Sequence, residues 1–171
     1  MTRPLFLGSD VVATPEAEAL VAAAHRLSKA GVTGAALSAR VGPRFAITAG
    51  GMPLDMVGME HIVEVVDYDP HIDQILCIGP QPPSPLAPLH ALVYRAKKEV
   101  WAILQTDLPA AHPARAGAPA VTPGRTHLEG SLKLLEALRT SSVVQYGKTA
   151  VFSVGRTVDE AARRIAPEAE A

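Results

Sequence analysis

The stretch from Pro83 to Asp107 limits the possible folds of this chain more than any other. It opens with a proline-rich loop. Leu89, Leu92, Val93 and Ala96 then recur at helical spacing, and Arg95, Lys97 and Lys98 fall where a helix C-terminus favours cations. Val100 to Leu104 is an unbroken apolar run, as expected of a strand covered on both faces. Three polar residues follow at once: Gln105, Thr106 and Asp107. Loop, helix and buried strand in this order predict an α/β sheet, and ligands of such sheets gather at strand ends.

The flanking segments fit the same class. Thr14 reads as an N-cap, with Pro15 at the first helical position and Glu16 and Glu18 in the first turn. Leu20, Val21, Ala24 and Leu27 form the buried stripe of that helix, and Gly31 ends it. Phe45 to Thr48, Ile62 to Val66 and Ile75 to Ile78 read as strands. Gly50-Gly51 is a tight turn, and Tyr68 to His71 carries a turn signal. Leu108 to Gly124 is broken by four prolines and predicts a long irregular loop. Leu128 to Leu138 predicts a further helix, with Leu128, Leu132, Leu135 and Leu138 on one face. Ser142 to Tyr146 and Thr149 to Val154 are the last strands. Thr157 and Glu160 fit a capping box on the final helix.

Several function classes are excluded by what is missing. No apolar run approaches the ~18 residues of a membrane span. The N-terminal apolar segment is too short for a signal peptide, so the expected location is the cytoplasm. A net charge of -1 without basic blocks argues against a nucleic-acid binder. The single cysteine, Cys77, lies in an apolar run and reads as a core thiol. His25, His61, His71 and His112 have no partners at metal-ligand spacing and read as packed or surface residues. With 171 residues the chain suffices for one domain, residues 1–171, with a full core.

The central stretch resembles the class II aldolase/adducin family. That family has a Pro-Ser-Ser-Glu loop, a helix with His and Tyr four residues apart, and a strand ending His-x-His. Pro83 and Ser84 match the loop, and His90 and Tyr94 match the helix. Upstream, Ser38 and Arg40 match part of Gly-Asn-x-Ser-x-Arg, whose Gly-Asn falls on Ala35-Ala36. Ile47, Thr48 and Gly51 match part of Ile-Thr-Pro-Ser-Gly, whose Pro-Ser falls on Ala49-Gly50. Downstream, Gly147, Gly155 and Ala161 match the family's ending. The resemblance runs from about Leu20 to Ile165. It implies a three-layer α/β/α sandwich with a central mixed, mostly antiparallel sheet.

The resemblance also implies a chemistry that this chain does not reproduce. Family enzymes hold a divalent metal on three His residues and move a proton with a Glu. Those positions fall on Gln105, Asp107, Tyr146 and Leu86, so no metal and no cofactor are expected. The first reading is a non-catalytic binding or assembly module. The second is a metal-free lyase- or isomerase-type enzyme acting on a small carbonyl or sugar-phosphate-like substrate, with Asp107, Tyr146, Gln105 and His90 as its pocket. The third is an unrelated α/β binding protein. Ser38, Thr48, Gly51 and Ser84 match positions that cradle a substrate phosphate in the family, so a small anionic ligand is implied. A homotetramer is the implied assembly.

Overall fold

The computed structural model describes residues 1–168. Alternating elements build one nine-stranded sheet. In chain order they are β1 (Arg3–Gly8), α1 (Pro15–Lys29), β2 (Ala35–Val41), β3 (Arg44–Thr48), β4 (Ile62–Asp69), β5 (Gln74–Ile78), α2 (Ala87–Ala96) and β6 (Ala102–Asp107). Then follow β7 (Ala120–Val121), α3 (His127–Ala137), β8 (Val143–Tyr146), β9 (Ala150–Gly155) and α4 (Val158–Arg163). The strand order is β1-β5-β4-β3-β2-β6-β9-β8-β7. Only the pairs at the two edges, β1 with β5 and β7 with β8, are parallel. The sheet is therefore mixed and mostly antiparallel, with helices on both faces.

Side-chain alternation along the central strands divides the core in two. In β6, Ala102 and Leu104 face α1 and α4, where Leu20, Leu27, Ala161 and Ile165 are fully buried. Ile103 faces the other way, with Phe152 and Val144, toward α2 and toward Leu134 of α3. Gln105 and Asp107 lie two and four residues beyond Ile103 and share its face. Thr14 caps α1 by accepting from the Ala17 amide, and Gly31, at φ +86°, takes the left-handed turn that ends the helix.

The sequence reading does not draw β2 and β7 as strands, and four further details depart from it. The exposed edge strand β1 carries no alternating pattern and was not expected. β4 runs on to Asp69 because Tyr68 is buried, pairs with Ile75 and donates its hydroxyl to Asp73, so the turn falls later, at 70–73. The return bond of the last cap is donated to Glu160 by the Arg156 amide, one residue before Thr157. The fourth is the face of α3. Gly130, Ser131, Leu134 and Leu138 are its buried positions, while Leu128 and Leu132 are 46% and 62% exposed. The cause is close packing. A Cβ on Gly130 would lie 2.2 Å from the Tyr146 hydroxyl, so the helix approaches β8 on its small residues and turns two leucines outward.

Candidate functional site

Two cavities meet at the end of β6. The first, about 690 Å3, lies between the Gly50–Pro53 turn, the Ser84–Leu86 loop and Gln105–Asp107. The second, about 580 Å3, is bounded by Tyr68, Leu89, Arg125, His127 and Tyr146. Leu86 and Gln105 line both and form the partition between them.

The first cavity is shaped by two loops pressed together. Ala49 bridges to Pro83, and the Ser84 amide donates to the Thr48 carbonyl at 3.2 Å. A Cβ on Gly50 would sit 2.9 Å from Pro85 Cδ, so only glycine allows this approach without a shift. Gly51 has φ +73°, a left-handed conformation. The amides of Gly50, Gly51 and Met52 take no acceptor among the described residues. Successive free amides at such a turn form the kind of concavity that attracts anions.

Of the residues read as an anion cradle, Gly51 and Ser84 line this cavity and Ser38 and Thr48 do not. Ser84 Oγ accepts from the Leu86 amide at 3.2 Å. Thr48 Oγ1 accepts from the Leu37 amide at 3.2 Å on the α1 side of the sheet. Ser38 is fully buried, its Oγ 2.8 Å from His90 Nδ1 and 2.9 Å from the Tyr94 hydroxyl. Arg40, the other residue of that motif, holds the end of α2. Its guanidinium donates to the carbonyls of Tyr94, Lys97 and Val100.

The remaining pocket residues fall into three environments. Asp107 is exposed, and its Oδ1 accepts from Thr149 Oγ1 at 2.6 Å. Tyr146 opens on the second cavity, and burial raises its phenol pKa against the opposing Gly124 amide. His90 is fully buried with its ring edge-on to Phe152. Burial pushes its pKa down to about 3, with the nearby Gln105 amide opposing. The imidazole is therefore neutral at physiological pH. His90 Nε2 and Gln105 Oε1 are both buried, and among the described residues neither closes a hydrogen bond of normal geometry. Register explains the grouping. Asp107 pairs with Ala150 and Ala150 with Tyr146, so the two polar residues share one face across a small alanine.

The second cavity contributes two residues that motif reading missed, Arg125 and His127. The available signal was Thr126, which caps α3 by accepting from the Glu129 amide at 3.1 Å. That cap fixes where the loop ends and α3 begins, at the rim of the cavity that Arg125, Thr126 and His127 line.

His90 predicts an acid limb in stability. Its folded pKa of about 3 lies below the ~6.5 of an unfolded histidine. Between those values the unfolded chain binds a proton that the folded chain refuses. Stability is thus whole above ~6.5 and falls with pH toward ~3, by at most about 1.4 kcal/mol per pH unit. His90→Gln should flatten this limb in urea-unfolding midpoints taken between about pH 7 and pH 4. Identical slopes in both proteins would remove the assignment.

The sheet order and the strand-end site define an aldolase-type α/β domain. The sequence profile of the class II aldolase and adducin N-terminal domain family matches residues 18–116, and the chain belongs to that family. Solved structures share the fold. An L-fuculose 1-phosphate aldolase superposes with a TM-score of 0.70 at 18% identity, over 92% of this chain and 82% of that one. An aldolase II superfamily protein from Pseudomonas syringae gives 0.70 at 22%, over 90% and 71%. A sugar-phosphate aldolase from Thermotoga maritima gives 0.67 at 16%, over 90% of each chain. No curated protein matches the chain.

The divalent metal implied by the family does not fit this donor set. Gln105 turns its carbonyl oxygen inward, toward His90, and leaves its amide nitrogen, which is no metal donor, at the cavities. Tyr146 is a phenol held protonated in the second cavity, which leaves Asp107 as the one anionic donor of the three. Among the described residues no three His, Cys, Asp or Glu side chains come together to hold a metal ion. No helix among them is long and apolar enough to cross a membrane.

Proposed function

We propose that this chain is a non-catalytic member of the class II aldolase/adducin family whose cleft binds a small anion. One observation carries the reading: the strand-end site offers a carboxamide, a single carboxylate, a protonated phenol and a leucine. Such a set neither holds a divalent metal nor, at Leu86, moves a proton. The free amides at Gly50–Met52 support an anion as the ligand, and Gly51 and Ser84 are the cradle residues that reach it. A cytoplasmic homotetramer of one-domain subunits without cofactor belongs to the same reading.

Melting temperatures and a turnover screen test it together. Zinc, manganese or cobalt should leave Tm unchanged, because a ligand stabilises by RT ln(1 + [L]/Kd) only where it binds the folded state. Phosphate or small phosphonates should raise Tm, and sugar phosphates and hydroxy-aldehydes should pass through uncleaved. Stoichiometric zinc that is lost in Asp107→Ala would overturn the reading.

The register that sets Asp107 across Ala150 from Tyr146 supports a second reading, a metal-free enzyme acting on a small carbonyl or sugar-phosphate-like compound. There the carboxylate would take a proton and the phenol return one. Metal-independent turnover abolished by Asp107→Asn would decide for it.

A further inference from the structure

The buried polar chain behind the cleft has a direction. Tyr94 is buried with Ser38 Oγ as its hydroxyl's one hydrogen-bond partner among the described residues, and burial pushes its phenol pKa well above the ordinary range, so it carries its proton. A buried donor is rarely left unmade, so Tyr94 donates to Ser38. Ser38 has one proton of its own and one other partner, His90 Nδ1 at 2.8 Å. Ser38 therefore donates to Nδ1, which must be the bare nitrogen of a neutral ring. The imidazole proton is left on Nε2, the buried atom without a partner. Its natural acceptor is the other buried orphan, Gln105 Oε1. A small closing movement satisfies both atoms at once. With Oε1 engaged inward, the amide N–H groups of Gln105 point to the cavities that the residue lines.

We infer that Gln105 is a fixed hydrogen-bond donor to the ligand, oriented by the one-way chain Tyr94–Ser38–His90, and that the cleft selects small oxyanions bearing a second acceptor oxygen. The oxyanion faces the Gly50–Met52 amides and the acceptor oxygen faces Gln105. This assignment rests on the anion reading of the cleft. It makes His90 and Ser38 positioning residues, which act on the ligand through Gln105. It also explains why Ser38 and Tyr94, which never reach the cavity, belong to the site's machinery.

Nitrogen NMR of the full chain, labelled in histidine, reads the orientation directly. His90 should show the tautomer protonated on Nε2; protonation on Nδ1 reverses every arrow and overturns the inference. Calorimetric titration reads the selection. 3-Phosphonopropionate should bind on the order of tenfold tighter than propylphosphonate, the worth of one hydrogen bond to a charged acceptor. Gln105→Leu should bring the two ligands to equal affinity. Gln105→Glu keeps the acceptor for His90 but turns a second acceptor outward, so it should prefer propylphosphonate and guards against misfolding as an explanation. Equal binding of both ligands by the natural chain would overturn the inference and leave the anion reading intact. Binding of neither would overturn both.

Discussion

A chain carrying Leu86→Glu, Gln105→His, Asp107→His and Tyr146→His is expected to bind one zinc ion, whereas the natural chain is expected to bind none. The strand register makes this a large effect. Positions 105 and 107 alternate onto one face of β6, and position 146 lies directly across β9 from 107, roughly 10 Å away at two strand spacings. Ala150 between them is too small to block side chains reaching in from either side. Three histidines with an open fourth position are a complete zinc site. Replacing Tyr146 also withdraws the phenol from above Gly130, so part of the zinc's gain offsets the packing lost there. At a thousandfold excess of zinc over Kd the gain is about 4 kcal/mol. For a domain of this size that is a Tm rise on the order of 10 °C. A folded quadruple variant without zinc would show that the surroundings of the pocket have diverged along with the ligands.

The sequence carried the fold further than the site, for a physical reason. Helices and strands announce themselves through periods, so α1, α2, β6 and β9 could be drawn close to their true bounds. The period is silent about neighbours. Leu128 and Leu132 read as one face with Leu135 and Leu138, yet Gly130 and Ser131 decide which face of α3 meets β8. β1 has exposed residues on both sides and therefore no alternation to read. At the site, the strand-end position of Gln105 and Asp107 was legible because a polar triplet closes an apolar run. The fate of the hydroxyls was not. Ser38 and Thr48 sit on neighbouring strands but face opposite sides of the sheet, and each spends its oxygen inside the protein. Nor could a motif show that Leu86 and Gln105 would stand between two cavities, since that depends on how far the Pro83–Pro85 loop is pressed onto Gly50.

Phe152→Ala should be the most damaging single substitution behind the site. Phe152 has no exposed surface and sits on β9 between Gln105 of β6 and Val144 of β8. Its ring meets the His90 imidazole edge-on, with centroids 5.5 Å apart. Truncation removes the ring and leaves a cavity that two flanking strands cannot close, a loss of about 3–5 kcal/mol. At about 2–4 °C of Tm per kcal/mol, the fall should be roughly 10 °C. The damage should extend beyond stability, because the ring is one wall of the slot that holds His90. With that wall gone, the imidazole can tilt, the chain from Tyr94 to Gln105 loses its fixed direction, and the preference for 3-phosphonopropionate over propylphosphonate should shrink at temperatures where the variant is still folded. Phe152→Leu separates the two effects, since it restores most of the volume but not the edge-on contact. It should recover most of the Tm and little of the ligand preference. Full recovery of both would mean that His90 is held by its hydrogen bond to Ser38 alone, and that the aromatic wall serves only the core.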